Sequence, residues 1–392
     1  MGMIKKVIVI GYQPLTEKVV KDFYFATLND HGFEVEYWDL SGIYFPNILP
    51  DCLVDGRVVK IENRRELGLK LAGCKVKECF FVLHITYEYR VIDLFRLLTK
   101  YDCMTSFFAR GALPVSNRES TLKEKILKSL NPATLAGFVK NKYAGLLKRI
   151  GYIKPYDIVF SAGNFGYLTV GIAADIEKQQ SRNVPINSHD YDTALENLAE
   201  APVVEGRFCL FLDEYLPLHP DFKLLGIKSV DADPYYESIN RFFDVIEEKF
   251  QLSIVIAAHP KAEMYRSKNP FNGRKIVFGK ASQLTRDCKF VLAHISTSQS
   301  FAVLNKKPVL TLTTEAIKKV MPQYDYFISH FSVKLGSALV NIDNYTASDI
   351  KINKVDEQIY DAYLYDYLTS TESEKTRSSE IFLKTLTAYY GE

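Results

Sequence analysis

Between residues 208 and 313 the chain alternates short apolar runs with helical stretches, and most of the runs stop at a polar cluster. The runs are Phe208-Cys-Leu-Phe-Leu212, Ser253-Ile-Val-Ile-Ala-Ala258, Phe290-Val-Leu-Ala-His294 and Pro308-Val-Leu-Thr-Leu-Thr313. Continuous apolar character over such short lengths marks strands buried on both faces, as in a parallel sheet flanked by helices. The stretches at 235–249, 281–287 and 298–305 have helical periodicity and supply those helices. Asp213-Glu214 follows the first run, His259-Pro260 the second, and Ser296-Thr297-Ser298 the third. Ligands bind beyond the carboxyl ends of the strands in open parallel sheets, so these clusters are expected to meet in one crevice.

The first half reads the same way. Strands are expected at 7–10, 33–38, 78–86, 157–161 and 184–186, with helices at 15–30, 92–99 and 167–176. With 392 residues and 47% hydrophobic content the chain has material for two α/β domains, expected at 1–200 and 201–392, with a helical tail from about Asp356. A net charge of +2 argues against a dedicated nucleic-acid binder. Cys52, Cys74, Cys79, Cys103, Cys209 and Cys288 form no CxxC pair and read as thiols of a reducing compartment, hence a cytoplasmic protein. The apolar run after Lys5-Lys6 breaks at Gly11, too soon for a signal peptide, and no apolar stretch is long enough to span a membrane.

Each cluster has a chemical reading and a plainer one. An acid at a strand end can take the proton of an acceptor hydroxyl; the plainer role is a turn or helix cap. Asp213 and Glu214 are sequence neighbours, so only one is expected to face the crevice. His259 at the end of an apolar strand is partly desolvated and can donate to a phosphate, while Pro260 sets the turn and brings no N–H. Ser296, Thr297 and Ser298 precede a helix, where hydroxyls and free N–H groups hold anions; one of them is expected to be the N-cap. Asp231-Ala-Asp233 has the spacing of a metal-binding pair, but Asp233-Pro234 reads as an N-cap followed by proline at the first helical position. Asp190 and Asp192 read as caps of a helix from Thr193. Nicotinamide, P-loop and zinc-protease fingerprints are absent.

Residues 122–154 are basic and amphipathic. Lys123, Lys125, Lys128, Lys140, Lys142, Lys148, Arg149 and Lys154 interleave with Leu, Ile, Val and Phe, against the single acid Glu124. Such a segment either lies on the inner face of an anionic membrane or forms solvated helices packed on the sheet.

The order Asp213-Glu214, His259-Pro260, Ser296-Thr297-Ser298 resembles the three short motifs of bacterial GT-B sialyltransferases, and the wider segment is similar to proteins of capsule and O-antigen clusters. The resemblance covers about 100 of the 392 residues and implies a GT-B-like fold, two Rossmann-like domains facing a cleft, with a C-terminal helix crossing back. The 1–200 half would take the acceptor and the 201–392 half the donor. It implies that one acid of the pair, the first by likeness, is the base. His259 would bind the CMP phosphate and assist its departure, with Pro260 and the hydroxyl cluster alongside. Tyr215 stands where that family has glycine. The implied reaction moves a sialic-acid-like sugar from a CMP donor to an oligosaccharide or lipid-linked glycan, with inversion and no metal. A UDP-sugar transferase, a nucleotide-sugar epimerase and a non-catalytic polysaccharide-assembly protein are the alternatives.

Overall fold

A computed structural model describes residues 4–46, 55–114, 132–224 and 226–388. They fall into two compact units. Unit 1 takes residues up to 112, the stretch 132–189 and the tail 369–388; unit 2 takes Leu113, Pro114 and 190–368. The division expected after residue 200 thus falls at 189/190, and the tail packs with the first unit.

The described residues of unit 1 hold seven strands: β1 (Lys6–Gly11), β2 (Glu34–Asp39), β3 (Val58–Lys60), β4 (Cys79–His84), β5 (Met104–Ala109), β6 (Ile158–Ala162) and β7 (Arg182–Ile186). Their order is β3-β2-β1-β4-β5-β6-β7, and every pairing is parallel. Alternate residues feed two cores: Ile8 and Ile10 join one, Val7 and Val9 the other. A sheet buried on both faces explains the continuous apolar runs.

The expected helix over 15–30 is two, Glu17–Asp22 and Phe25–Asp30, broken where Tyr24 takes the left-handed conformation (φ 57°). The expected helix over 167–176 is a short turn at Gly166–Thr169 followed by Ala174–Gln180. β3 and β5 had no counterpart in the sequence reading. β3 is a three-residue edge strand. β5 buries Thr105 and Ser106, whose polar groups are satisfied by Asp157 Oδ2 and the Phe81 carbonyl.

Helix α1 (Pro132–Arg149) carries the described part of the basic segment; residues 122–131 lie outside the described residues. Lys148, counted among its surface cations, is instead fully buried against the equally buried Glu177.

Unit 2 holds β8 (Phe208–Leu212), β9 (Ser253–Ala258), β10 (Lys275–Phe278), β11 (Val291–Ala293), β12 (Val309–Thr313) and β13 (Ala338–Asn341). The order β10-β9-β8-β11-β12-β13, again all parallel, is that of a dinucleotide-binding sheet, and the chain reverses direction across the sheet between β8 and β11. Helix α2 (Ala232–Phe250) starts earlier than expected: Asp231, not Asp233, is its N-cap, and Pro234 sits inside the first turn. The helix expected from Thr193 begins at His189, so Asp190 and Asp192 lie in its first turn rather than before it. Helix α3 (Ala281–Asp287) matches its expected span. Helix α4 (Ser300–Leu304) continues a 3₁₀ turn at Thr297–Gln299. Helix α5 (Pro322–Lys334) was not anticipated, nor were the edge strands β10 and β13. Helix α6 (Ser378–Ala388) closes the tail. No described helix is long and apolar enough to cross a membrane.

Candidate functional site

A cavity of about 570 Å³ opens at the carboxyl ends of β8, β9, β10 and β11, on both sides of the point where the strand order reverses. Its walls include Asp213, Glu214, His259, Pro260, Ser296, Thr297 and Ser298, so the structure brings the three motif clusters together at one place. Both acids line it, contrary to the expectation that one would turn away. Strand β8 ends at Leu212, and the chain turns at Tyr215, so the alternation of a regular strand does not fix which way the two acids face.

The acids have different surroundings. Asp213 is 4% exposed, and neither carboxylate oxygen has a hydrogen-bond partner. Burial pushes its carboxyl up to about 7, opposed by the nearby N–H groups of Tyr215, His259 and Glu214 and by the Tyr265 hydroxyl. Glu214 is engaged: Oε1 accepts from the Ile295 N–H at 2.6 Å, and Oε2 accepts from the Tyr324 hydroxyl. Burial raises it well above the carboxylate range, Ile295 counters, and Asp213 adds to the rise. Glu214 thereby ties the end of β8 to the loop that leads into Ser296.

Tyr215 occupies the left-handed region (φ 56°, ψ 31°) that glycine adopts without cost. A non-glycine residue there costs about 1–2 kcal/mol. Its ring is buried and packs edge-on against Tyr265 at 5.2 Å. The glycine expected by likeness is thus replaced by a residue that keeps glycine's backbone and adds a packed ring.

His259 begins a turn closed by the Ala262 N–H donating to its carbonyl at 2.9 Å, with Pro260 at the second position. The Lys261 N–H donates to His259 Nδ1 at 3.1 Å. The neutral ring therefore carries its proton on Nε2. Burial pushes its pKa down to about 4, with His219 and Lys261 adding to the fall. His219 is built alike: the Asp221 N–H donates to its Nδ1 at 3.2 Å, and its ring stands edge-on to His259 at 4.8 Å. Two neutral imidazoles thus share one wall of the cavity.

Ser296 is the N-cap. Its hydroxyl accepts from the Ser298 N–H at 3.3 Å, and Gln299 Oε1 accepts from the Ser296 N–H at 2.9 Å, completing a capping box. Thr297 and Ser298 occupy the first helical positions, where hydroxyls and N–H groups suit an anion.

His294 is structural: its Nδ1 bonds the Leu312 carbonyl at 2.8 Å and its Nε2 the Tyr235 hydroxyl at 2.9 Å. Tyr324 and Gln283 were missed as lining residues; Tyr324 comes from α5, which had no sequence signal, and Gln283 from α3, where helical pattern alone cannot show which side chain faces a cavity. Among the described residues no group of His, Cys, Asp and Glu is arranged to hold a metal ion.

No family model matches the chain, and no curated protein sequence does. Solved structures do. The wall teichoic acid polymerase TagF is 10% identical, with 99% of this chain and 90% of that chain covered at a TM-score of 0.50. UDP-GlcNAc 2-epimerase from Methanocaldococcus jannaschii is 14% identical over 98% of this chain and 100% of that chain, TM-score 0.49. The S. aureus MnaA–UDP structure is 13% identical over 99% and 97%, TM-score 0.49. The likeness to TagF is one of fold. It agrees with a GT-B-like pair of Rossmann-like parallel-sheet units.

Proposed function

We propose that the unit 2 cavity binds an activated sugar and that the protein is an inverting glycosyltransferase of bacterial surface-polysaccharide synthesis. In this reading it transfers a sialic-acid-like sugar from a CMP donor to a glycan hydroxyl in the cytoplasm. The observation that carries the reading is the convergence, at one strand-reversal point, of an unpartnered carboxyl, a neutral histidine with Nε2–H, and a capped helix N-terminus.

The roles follow from those environments. The acceptor oxygen attacks the anomeric carbon as the bond to the phosphate oxygen breaks. Asp213, titrating near 7, takes the hydroxyl proton. His259 Nε2–H, the Thr297 N–H and the Thr297 and Ser298 hydroxyls receive the charge that builds on the departing phosphate. Glu214 is a positioning residue, because its carboxylate already holds Ile295 and Tyr324. The Asp213 oxygens are covered, so the role requires the turn at Tyr215 to shift when the acceptor binds. The donor's single phosphate is met by protein groups, and no metal is assigned.

Thermal shift with CMP, CDP, UDP and GDP tests the donor class, with the largest shift expected for CMP; a larger shift with UDP reassigns the donor. His259→Ala is expected to weaken nucleotide binding and cut turnover by on the order of 10². Asp213→Asn is expected to lower turnover by roughly 10²–10⁴ with nucleotide affinity nearly intact. Unchanged turnover in both folded variants refutes the assignment. Conversion of the donor sugar without acceptor identifies an epimerase instead.

A further inference from the structure

Helix α1 is apolar on two sides. One side carries Ala144 (0% exposed) and Leu147 (7%) into the core of unit 1. The other carries Val139 (59% exposed), Tyr143 (51%), Leu146 (51%) and Ile150 (64%) into solvent. Their spacing of four, three and four residues puts them on one stripe. Phe138, beside Val139 on the flank of the helix, is 59% exposed, and Tyr152, just past the helix end, is 50% exposed. Single exposed apolar residues need no explanation, but a contiguous patch marks an interaction surface.

The stripe borders a basic hollow. A cavity of about 650 Å³ is lined by Arg64, Arg90, Arg96 and Lys140 together with Tyr89 and Tyr143. Its carboxylates, Glu88 and Asp93, are already engaged by Arg90 and Arg64. The Arg96 guanidinium stacks over the Tyr152 ring at 5.6 Å, and Lys140 Nζ over Tyr89 at 5.5 Å, so these cations sit beside the apolar patch. Lys142 is exposed on the same helix.

We infer that this face of unit 1 docks on an anionic lipid bilayer. The stripe would enter the acyl boundary, and Arg96, Lys140 and Lys142 would meet lipid phosphates. Charge selects this occupant. A second copy would bring the same cations against one another across a two-fold interface. The chain's own residues 115–131 carry Arg118, Lys123, Lys125 and Lys128 against Glu119 and Glu124, so they have the same sign. The inference does not depend on the donor nucleotide or on the unit 2 reading.

The test uses the full chain with vesicles of equal parts phosphatidylglycerol and phosphatidylcholine, and with phosphatidylcholine alone. Co-sedimentation is expected with the anionic vesicles only, and release as salt shortens the Debye length to about 3 Å. Leu146→Glu and Ile150→Glu replace exposed side chains, so the fold should persist, and each should cut the bound fraction by on the order of tenfold. Arg96→Ala with Lys140→Ala should flatten the salt dependence. Thermal shift with nucleotide, measured on the same variants, should be unchanged. Equal binding to neutral vesicles, no binding at all, or variants that bind like the parent chain would each overturn the inference. So would a concentration-dependent dimer that Leu146→Glu abolishes.

Discussion

Asp213 concentrates the tension between stability and chemistry in one residue. Its carboxyl titrates near 7 in the folded chain, against about 3.9 when unfolded. Between those values the folded chain holds a proton that the unfolded chain releases. Stability therefore falls as pH rises from about 4 to about 7 and levels off above. The charged form costs up to about 4 kcal/mol at pH 8. Asp213→Asn removes that cost, so the variant is expected to be more stable than the parent at pH 8 and little different at pH 4. Urea unfolding at both pH values measures it. A variant less stable at pH 8 would show that the carboxylate is satisfied in solution. A gain in stability paired with lost turnover is the behaviour of a group kept for function.

At the scale of elements, α1 is held to unit 1 by a buried charge. Lys148 pairs with Glu177 and lies over the rings of Tyr87 and Tyr156, each at 4.4 Å. Burial pulls the Lys148 pKa down, and Glu177 opposes the fall. Glu177 also accepts from the Tyr156 N–H at 2.8 Å and from Ser181 Oγ at 2.6 Å. Removing one partner strands the other. Lys148→Met or Glu177→Gln alone is expected to cost about 3–5 kcal/mol. The double variant keeps an acceptor for Tyr156 and leaves no buried ion, so it should be more stable than either single. A urea double-mutant cycle reads the coupling. Additive losses would mean that the two charges do not act as a pair.

Over the whole molecule, the tail completes the first unit. Phe382 and Leu386 of α6 are fully buried, and the Phe382 ring meets Phe80, Phe108 and Phe160 at 6.0, 5.2 and 5.3 Å. Asn187 anchors the approach: its Nδ2 donates to the Thr376 carbonyl at 2.7 Å, and its Oδ1 accepts from Thr369 Oγ1 at 2.6 Å. Phe382→Ala leaves a hole between these rings and is expected to cost about 3–5 kcal/mol. Hydrogen exchange should show protection lost in β4, β5 and β6 and kept in β8, β9 and β11. Loss confined to unit 2 would contradict the tail's placement.

Apolar runs and their polar ends were enough to read the strands β8, β9, β11 and β12 and the meeting of their termini, because a doubly covered parallel sheet demands unbroken apolar residues. Composition could not reveal β3, β10 and β13, whose edge positions relax that demand. Nor could it reveal β5, whose Thr105 and Ser106 are buried with partners from distant segments. At the site, the residue types were legible in order. Their states were not: an unpartnered Asp213, a Glu214 bound to Ile295 and Tyr324, and a Tyr215 in glycine's conformation depend on neighbours far away in the chain. Burial, hydrogen bonding and the burial of Lys148 against Glu177 are properties of packing. Local sequence sets which groups arrive at a place; only the tertiary structure sets the dielectric and the partners they find there.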